Sequence, residues 1–223
     1  MSHLTTDAPA IALGAAVGTV GGLYAPRAVR LAIAKGPDGD SSADGLPRVV
    51  AALIVTSAAV AGALVGARFG LQARVPAYLY LAAITPALAA VDATTHILPN
   101  RIVLPAYPLT VALLAFAAWR ASGPGALWRA LAAGALLYVI FLAVALVAPP
   151  DSLGWGDVKL VGLLGLCLGF LGWKTTWRGM MLAFGLAALC VMVRLLVRHE
   201  QRSHALPLGP ALLLGSLAAV IIS

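Results

Sequence analysis

Long apolar segments separated by short polar ones are the dominant feature of this sequence. Only 10% of the residues are charged, whereas a soluble domain carries roughly 25%, so the chain cannot cover a water-facing surface. Helices are stable in a lipid bilayer because each helix satisfies its own backbone hydrogen bonds. We therefore predict an all-α, polytopic membrane bundle of about eight transmembrane helices, with six to eight true spans because several segments are short for a bilayer. The segments cover approximately residues 8–25, 49–67, 75–91, 102–118, 129–148, 158–173, 178–197 and 207–222.

The distribution of Lys and Arg predicts how the bundle is oriented in its lipid bilayer. Alternate loops hold nine of these residues on one side and six on the other. The richer side should be cytoplasmic, which places both termini outside. The net charge of +7 does not indicate a nucleic-acid partner, because no basic cluster alternates with exposed aromatic residues.

The longest polar stretch, residues 35–47, predicts a flexible cytoplasmic loop. It divides the chain into an N-terminal helix with this loop, residues 1–48, and a transmembrane core, residues 49–223. The aspartates of the loop lack the spacing of a calcium-binding EF-hand. The two cysteines, Cys167 and Cys190, form no CxxC pair, so a zinc site of the usual spacing is excluded. We predict no metal and no cofactor.

Two of the eight acidic residues lie at the ends of apolar segments. Asp92 directly follows the segment 75–91, and Asp157 directly precedes the segment 158–173. Two predicted spans separate them, so the chain returns to the same face, which the charge distribution makes cytoplasmic. An ionisable group at membrane depth is costly and indicates function. Two close carboxylates cannot both ionise easily, so one keeps its proton and the pair can act as acid and base.

The alternative is that each aspartate has no catalytic role and only caps the end of a helix. Asp157 is suited to cap a helix starting near Val158, where the helix dipole favours negative charge. Asp92 lies at a helix C-terminus, where the dipole opposes it, so its position is harder to explain structurally. Gly154 and Gly156 allow close backbone approach and positive φ beside Asp157. Lys159 is predicted to extend towards the lipid headgroups, and the alternative is that it changes the acidity of the site.

Three motifs resemble those of the type IV prepilin peptidases, which are intramembrane aspartyl peptidases. Residues 154–160, Gly-Trp-Gly-Asp-Val-Lys-Leu, are similar to the GxGD signature of that family. Residues 92–100 resemble its first aspartate motif, with Thr95 after Asp92 and then the turn of Leu98, Pro99 and Asn100. Pro207, Gly209 and Pro210 resemble the Pro-x-Gly-Pro element that opens the last helix. The resemblance covers roughly residues 75–222, and the three motifs occur in the family's order.

The resemblance implies that Asp92 and Asp157 are the catalytic pair. It implies cleavage of prepilins or pseudopilins after a short leader, just before their hydrophobic helix, at the cytoplasmic face of a bacterial inner membrane. The substrate-binding or supporting residues that it implies are Gly154, Gly156, Lys159, Thr95, Pro99, Asn100, Pro207, Gly209 and Pro210. No metal is needed for the cleavage.

One departure from the family pattern concerns the loop after the first helix. Many bacterial members have cysteine pairs there that are linked to N-methylation, whereas residues 26–48 contain no cysteine. We therefore predict cleavage without methylation, or methylation by another protein. Two alternatives remain open, a proton-coupled transporter that uses the same aspartates and a non-catalytic scaffold. The sequence does not identify the pilin, the pilus or secretion system, or the oligomeric state.

Overall fold

The computed structural model describes residues 8–33, 48–95, 100–147, 153–198 and 208–223. All regular secondary structure in these ranges is helical, which confirms the predicted all-α class. A short π-helical turn, Ala118–Ser122, extends the fourth helix. The helices are α1 (Ala8–Ile33), α2 (Arg48–Phe69), α3 (Val75–Thr95), α4 (Asn100–Ala117), α5 (Pro124–Val147), α6 (Trp155–Leu171), α7 (Trp173–Arg198) and α8 (Gly209–Ile222).

Five helices in the described part of the chain are long and apolar enough to cross a membrane. They belong to α2, α3, α4 with its π-helical turn, α5 and α7. The apolar stretches Ala8–Tyr24 of α1 and Gly209–Ile222 of α8 are shorter. Each of the eight predicted segments is a helix, and most helices extend a few residues beyond the predicted bounds. The polytopic membrane bundle is therefore confirmed.

Helix α6 is the centre of the bundle. Its residues from Leu160 to Phe170 are all buried, as expected for a helix that is apolar on every side. Side chains of two neighbouring helices donate hydrogen bonds to its backbone. The Tyr78 hydroxyl on α3 donates a hydrogen bond of 2.8 Å to the Cys167 carbonyl. Arg129 on α5 donates through Nε and Nη2 to the last carbonyls of α6. These bonds hold the C-terminal part of α6 on two sides.

Small residues let the first two helices pack closely. A Cβ atom added to Gly14 would collide with the backbone of Gly62, and one added to Gly66 would collide with that of Ala10. Close backbone approach through glycine and alanine is typical of helix pairs in membranes, where packing replaces the hydrophobic effect as the driving force. The α1–α2 pair also contacts α3, which carries Asp92.

Candidate active site

Asp92 lies in the last turn of α3, and its side chain is only 4% exposed. The first residue of α8 packs directly against it. A Cβ atom added to Gly209 would lie 2.7 Å from Cγ of Asp92 and closer still to Oδ2. Any side chain at this position would press on the carboxylate, so glycine allows the α8 backbone to approach Asp92 this closely. Pro210 follows in the first turn of α8, where a missing N–H leaves no hydrogen bond unmade.

Asp157 is the third residue of α6 and is 8% exposed. The helix begins at Trp155, earlier than predicted, so the N-cap position belongs to Gly154, and no side chain forms a cap hydrogen bond there. Asp157 is therefore not the N-cap residue, but it lies in the first turn, where the helix dipole still favours a negative charge. The Gly154 backbone also forms a hydrogen bond to the Asp157 carboxyl group, so a role at the start of the helix and a role in catalysis are compatible. The backbone N–H of Asp157 donates to the Gly154 carbonyl at 3.0 Å.

The two glycines before Asp157 do not have positive φ, contrary to the sequence-based expectation. Gly154 is extended, with φ −70° and ψ 137°, and Gly156 is helical. The lack of a side chain at Gly154 matters for another reason. An added Cβ atom would lie 3.3 Å from Oδ2 of Asp157, tighter than ordinary van der Waals contact, so glycine leaves room around the carboxylate.

The structure brings the two carboxylates close enough to interact. Asp157 lies ahead of the apolar stretch of α6 and outside the five spans. Burial, and next the nearby charge of Asp92, raise the pKa of the Asp157 carboxyl above its ordinary value, while the Gly154 backbone partly opposes the shift. Oδ1 of Asp157 is buried and accepts no hydrogen bond from any described residue. Because two nearby buried carboxylates do not both ionise easily, Asp92 and Asp157 together favour holding one proton.

Two hydrogen bonds connect α4 to the start of α6 and join two of the predicted motifs. The Lys159 ammonium donates to Oδ1 of Asn100 at 2.8 Å, instead of only extending towards headgroups. The Tyr107 hydroxyl donates to the Lys159 carbonyl at 2.6 Å. Asn100 and Tyr107 are seven residues apart and so lie on one face of α4. The sequence analysis did not identify Tyr107. Its hydroxyl within an apolar segment, seven residues after Asn100, could have indicated a polar contact on that face of the helix.

The remaining predicted residues have different positions. Gly156 is in the first turn of α6. Thr95 is the last residue of α3, and its side chain lies outside the described part of the structure. Pro99 and Pro207 also lie outside the described residues. No cluster of three or more His, Cys, Asp or Glu side chains within the described ranges could hold a metal ion.

Three curated relatives are similar to this chain, and each is named a prepilin leader peptidase/N-methyltransferase. The protein from Pseudomonas putida is 29% identical over 76% of this chain and 57% of its own length. The one from Bacillus subtilis is 29% identical over 77% of this chain and 64% of its own length. The one from Stutzerimonas stutzeri is 27% identical over 69% of this chain and 52% of its own length. The chain thus spans little more than half the length of these relatives.

A family-level comparison covers the region that contains both aspartates. Residues 77–196, just over half of the chain, match the type IV leader peptidase family. No solved structure matches the chain significantly. The matched region runs from α3 to α7 and therefore includes the helices that carry Asp92 and Asp157. The chain belongs to the type IV leader peptidase family.

Proposed function

We propose that this protein is a membrane-embedded aspartyl endopeptidase that removes the leader peptides of type IV prepilins or pseudopilins. The observation that carries the proposal is that two carboxylates, Asp92 from α3 and Asp157 from α6, are both buried and close enough for their charges to interact. The names of the curated relatives support the prepilin substrate class. The enzyme acts at the cytoplasmic face of a bacterial inner membrane, with both termini outside, as the distribution of Lys and Arg favours.

The proposed chemistry divides acid and base roles between the two carboxyls. We assign the role of proton donor to Asp157, because burial and next the charge of Asp92 raise its pKa, and the role of base to Asp92. Asp92 takes a proton from water while the water oxygen bonds to the scissile carbonyl carbon, and Asp157 gives its proton to the carbonyl oxygen. When the C–N bond of this tetrahedral intermediate breaks, the proton held by Asp92 passes to the leaving amine, and the hydroxyl proton returns to Asp157. No metal or cofactor takes part in these steps.

The supporting residues have proposed roles that follow from their contacts. Gly209 and Gly154 leave space beside the carboxylates, and the hydrogen bond between Lys159 and Asn100 holds α4 against the start of α6. Gly156 and Pro210 belong to the first turns of α6 and α8, and Thr95, Pro99 and Pro207 are supporting residues only by their resemblance to the family motifs. The core 49–223 carries the reaction, and residues 1–48 supply the first helix and a cytoplasmic loop.

We also propose that the chain cleaves without methylating its product. The relatives carry both activities in their names, but the sequence between the first two helices lacks the cysteines that the family resemblance associates with methylation. A proton-coupled transporter is a weaker candidate, because a proton relay needs ionisable groups near the middle of the bilayer. Both aspartates lie in terminal turns of their helices.

The test is leader removal in membranes. A candidate prepilin is co-expressed with the wild type, Asp92→Asn or Asp157→Asn, and cleavage is followed by gel shift and N-terminal sequencing. Asn keeps the shape of the side chain but cannot act as acid or base, so each single variant should express normally and not cleave. Ser216→Ala is a matched control, because Ser216 is also polar and fully buried, on α8, and it should cleave normally.

Each outcome has a separate meaning. If the Asn variants cleave as well as the wild type, the assignment of the catalytic pair is wrong. If the wild type cleaves no pilin-like leader, the substrate class is wrong and the transporter candidate gains support. Mass spectrometry of the new N-terminus tests the second proposal, and an added methyl group made by the purified enzyme with a methyl donor would contradict it.

A further inference from the structure

An apolar cleft of about 660 Å³ lies between α5 and α7. Helix α5 contributes Ile140 and Val144 to its wall, and α7 contributes Trp177 and Phe184. No charged side chain of the described residues lines it. The two helices approach each other where Phe141 stacks on Phe184 with ring centroids 6.0 Å apart. This stacking brings the two walls of the cleft, the α5–α7 groove, into contact with each other.

One end of this groove lies at the candidate catalytic pair. Its lining includes Leu153 and Leu208, which immediately precede Gly154 and Gly209. Those two glycines are the residues whose added Cβ atoms would press on Asp157 and Asp92. A segment that filled the groove would therefore end beside both carboxylates.

The other end of the groove lies towards the opposite side of the bundle. Trp173 lines it there, just after the end of α6 at Leu171, and sixteen residues of helix place that end about 24 Å from the start of α6. Along α7 the lining runs from Trp173 to Phe184, an axial length of about 16 Å. The groove thus runs lengthwise through the bundle for roughly three turns of a docked helix.

Two other clefts do not share these properties. One, between α1 and α3, is lined by Leu71 and Val75 near the start of α3, about 25 Å along that helix from Asp92. The other, between α4 and α5, is lined by Lys159 and Tyr107. An apolar helix covering that cleft would bury an ammonium group, which is costly. Only the α5–α7 groove of these three combines an uncharged wall with an end at the aspartates.

We propose that the α5–α7 groove binds the hydrophobic helix of the substrate and places the bond before that helix at Asp92 and Asp157. This inference rests on the proposed peptidase function. Apolar side chains of the substrate helix fill the groove beside Phe184 and Ile140. Because the groove ends at Leu153 and Leu208, the chain that leaves its end passes between the first turns of α6 and α8.

A matched pair of substitutions on α5 tests the groove. Val144 lines it and is 51% exposed, whereas Val139 on the same helix lines the α4–α5 cleft and is 58% exposed. Each is replaced by Trp, and cleavage kinetics are measured with two substrates. One is a full prepilin, and the other is a leader peptide that ends a few residues after the cleavage site and lacks the helix.

Val144→Trp should raise KM for the full prepilin about tenfold, because a side chain too large for a packed site weakens binding by a factor of about ten or more. It should leave cleavage of the short peptide unchanged. Val139→Trp should leave both unchanged. If both variants affect cleavage of the prepilin equally, or if neither does, the proposal that this groove binds the substrate helix is overturned, while the peptidase proposal is unaffected. Failure of the wild type to cleave either substrate would overturn both.

Photo-crosslinking identifies the occupant directly. A photoreactive side chain replaces Phe184 in the groove or Val17 in the α1–α3 cleft, two positions that are 43% and 37% exposed. The substrate should crosslink at position 184 and not at position 17. Crosslinks at position 184 only to lipid or to a second copy of this chain, in membranes that cleave the prepilin, would show another occupant and overturn the inference.

Discussion

Replacing Gly209 by alanine adds a single methyl group at the point where α8 touches Asp92. The added Cβ atom would lie 2.7 Å from Cγ of Asp92, whereas two carbon atoms pack at about 3.5 Å or more. The carboxylate or the start of α8 must therefore move by about 0.8 Å, and the closer contact with Oδ2 increases the shift. A misplacement of about 1 Å in a catalytic group can lower a rate by about 100-fold, or about 2.7 kcal/mol.

Two other glycine substitutions separate this effect from a general disturbance. Gly185→Ala on α7 meets no atom within 4 Å and should cleave like the wild type. Gly215→Ala on α8 would place its Cβ atom 2.5 Å from Cα of Ala183 and closer still to the Ala183 backbone nitrogen, so it presses α8 away from α7 about two turns of helix beyond Gly209. It should lower thermal stability more than the cleavage rate of the folded enzyme.

The assay is the initial rate of prepilin cleavage in membranes, corrected for the amount of enzyme present. We expect Gly209→Ala to be expressed at the wild-type level and to cleave about 100-fold more slowly. If it retains more than half of the wild-type rate, the argument from close contact is refuted. If Gly215→Ala loses as much activity as Gly209→Ala, the loss comes from movement of α8 as a whole.

Two further predictions concern hydrogen bonds between helices. Arg129→Met removes the donors to the last carbonyls of α6 and should lower the free energy of unfolding by about 1.5–3 kcal/mol. The control Arg178→Met, at an exposed position, should change the free energy of unfolding by less than about 0.5 kcal/mol. If thermal unfolding in detergent shows equal losses for both variants, the role of Arg129 is contradicted. A double-mutant cycle of Lys159→Met and Asn100→Ala should give a coupling free energy of about 0.5–1.5 kcal/mol, and a coupling of zero would mean that their hydrogen bond does not hold α4 to α6.

Composition and periodicity were sufficient to predict the class of fold and the helices. A chain with 10% charged residues has to place most of its surface in lipid, and helices are the structure that satisfies its backbone there. The same reasoning predicted that Asp92 and Asp157 lie at one end of the bundle, because two intervening helices return the chain to its starting face. Helix ends were predicted less well, and because α6 starts early, its N-cap position is Gly154 and not Asp157.

The contacts between distant helices were decided only by the tertiary structure. Nothing local in the sequence pairs Gly209 with Asp92, or Lys159 with Asn100, because apolar helices have many faces of similar hydrophobicity. Which faces meet depends on where small residues allow close packing and where a polar group finds its partner. The sequence by itself therefore determined a membrane bundle with two aspartates at one end. Packing around α6 determined that the charges of Asp92 and Asp157 are close enough to interact and that an apolar cleft is lined by the neighbouring residues Leu153 and Leu208.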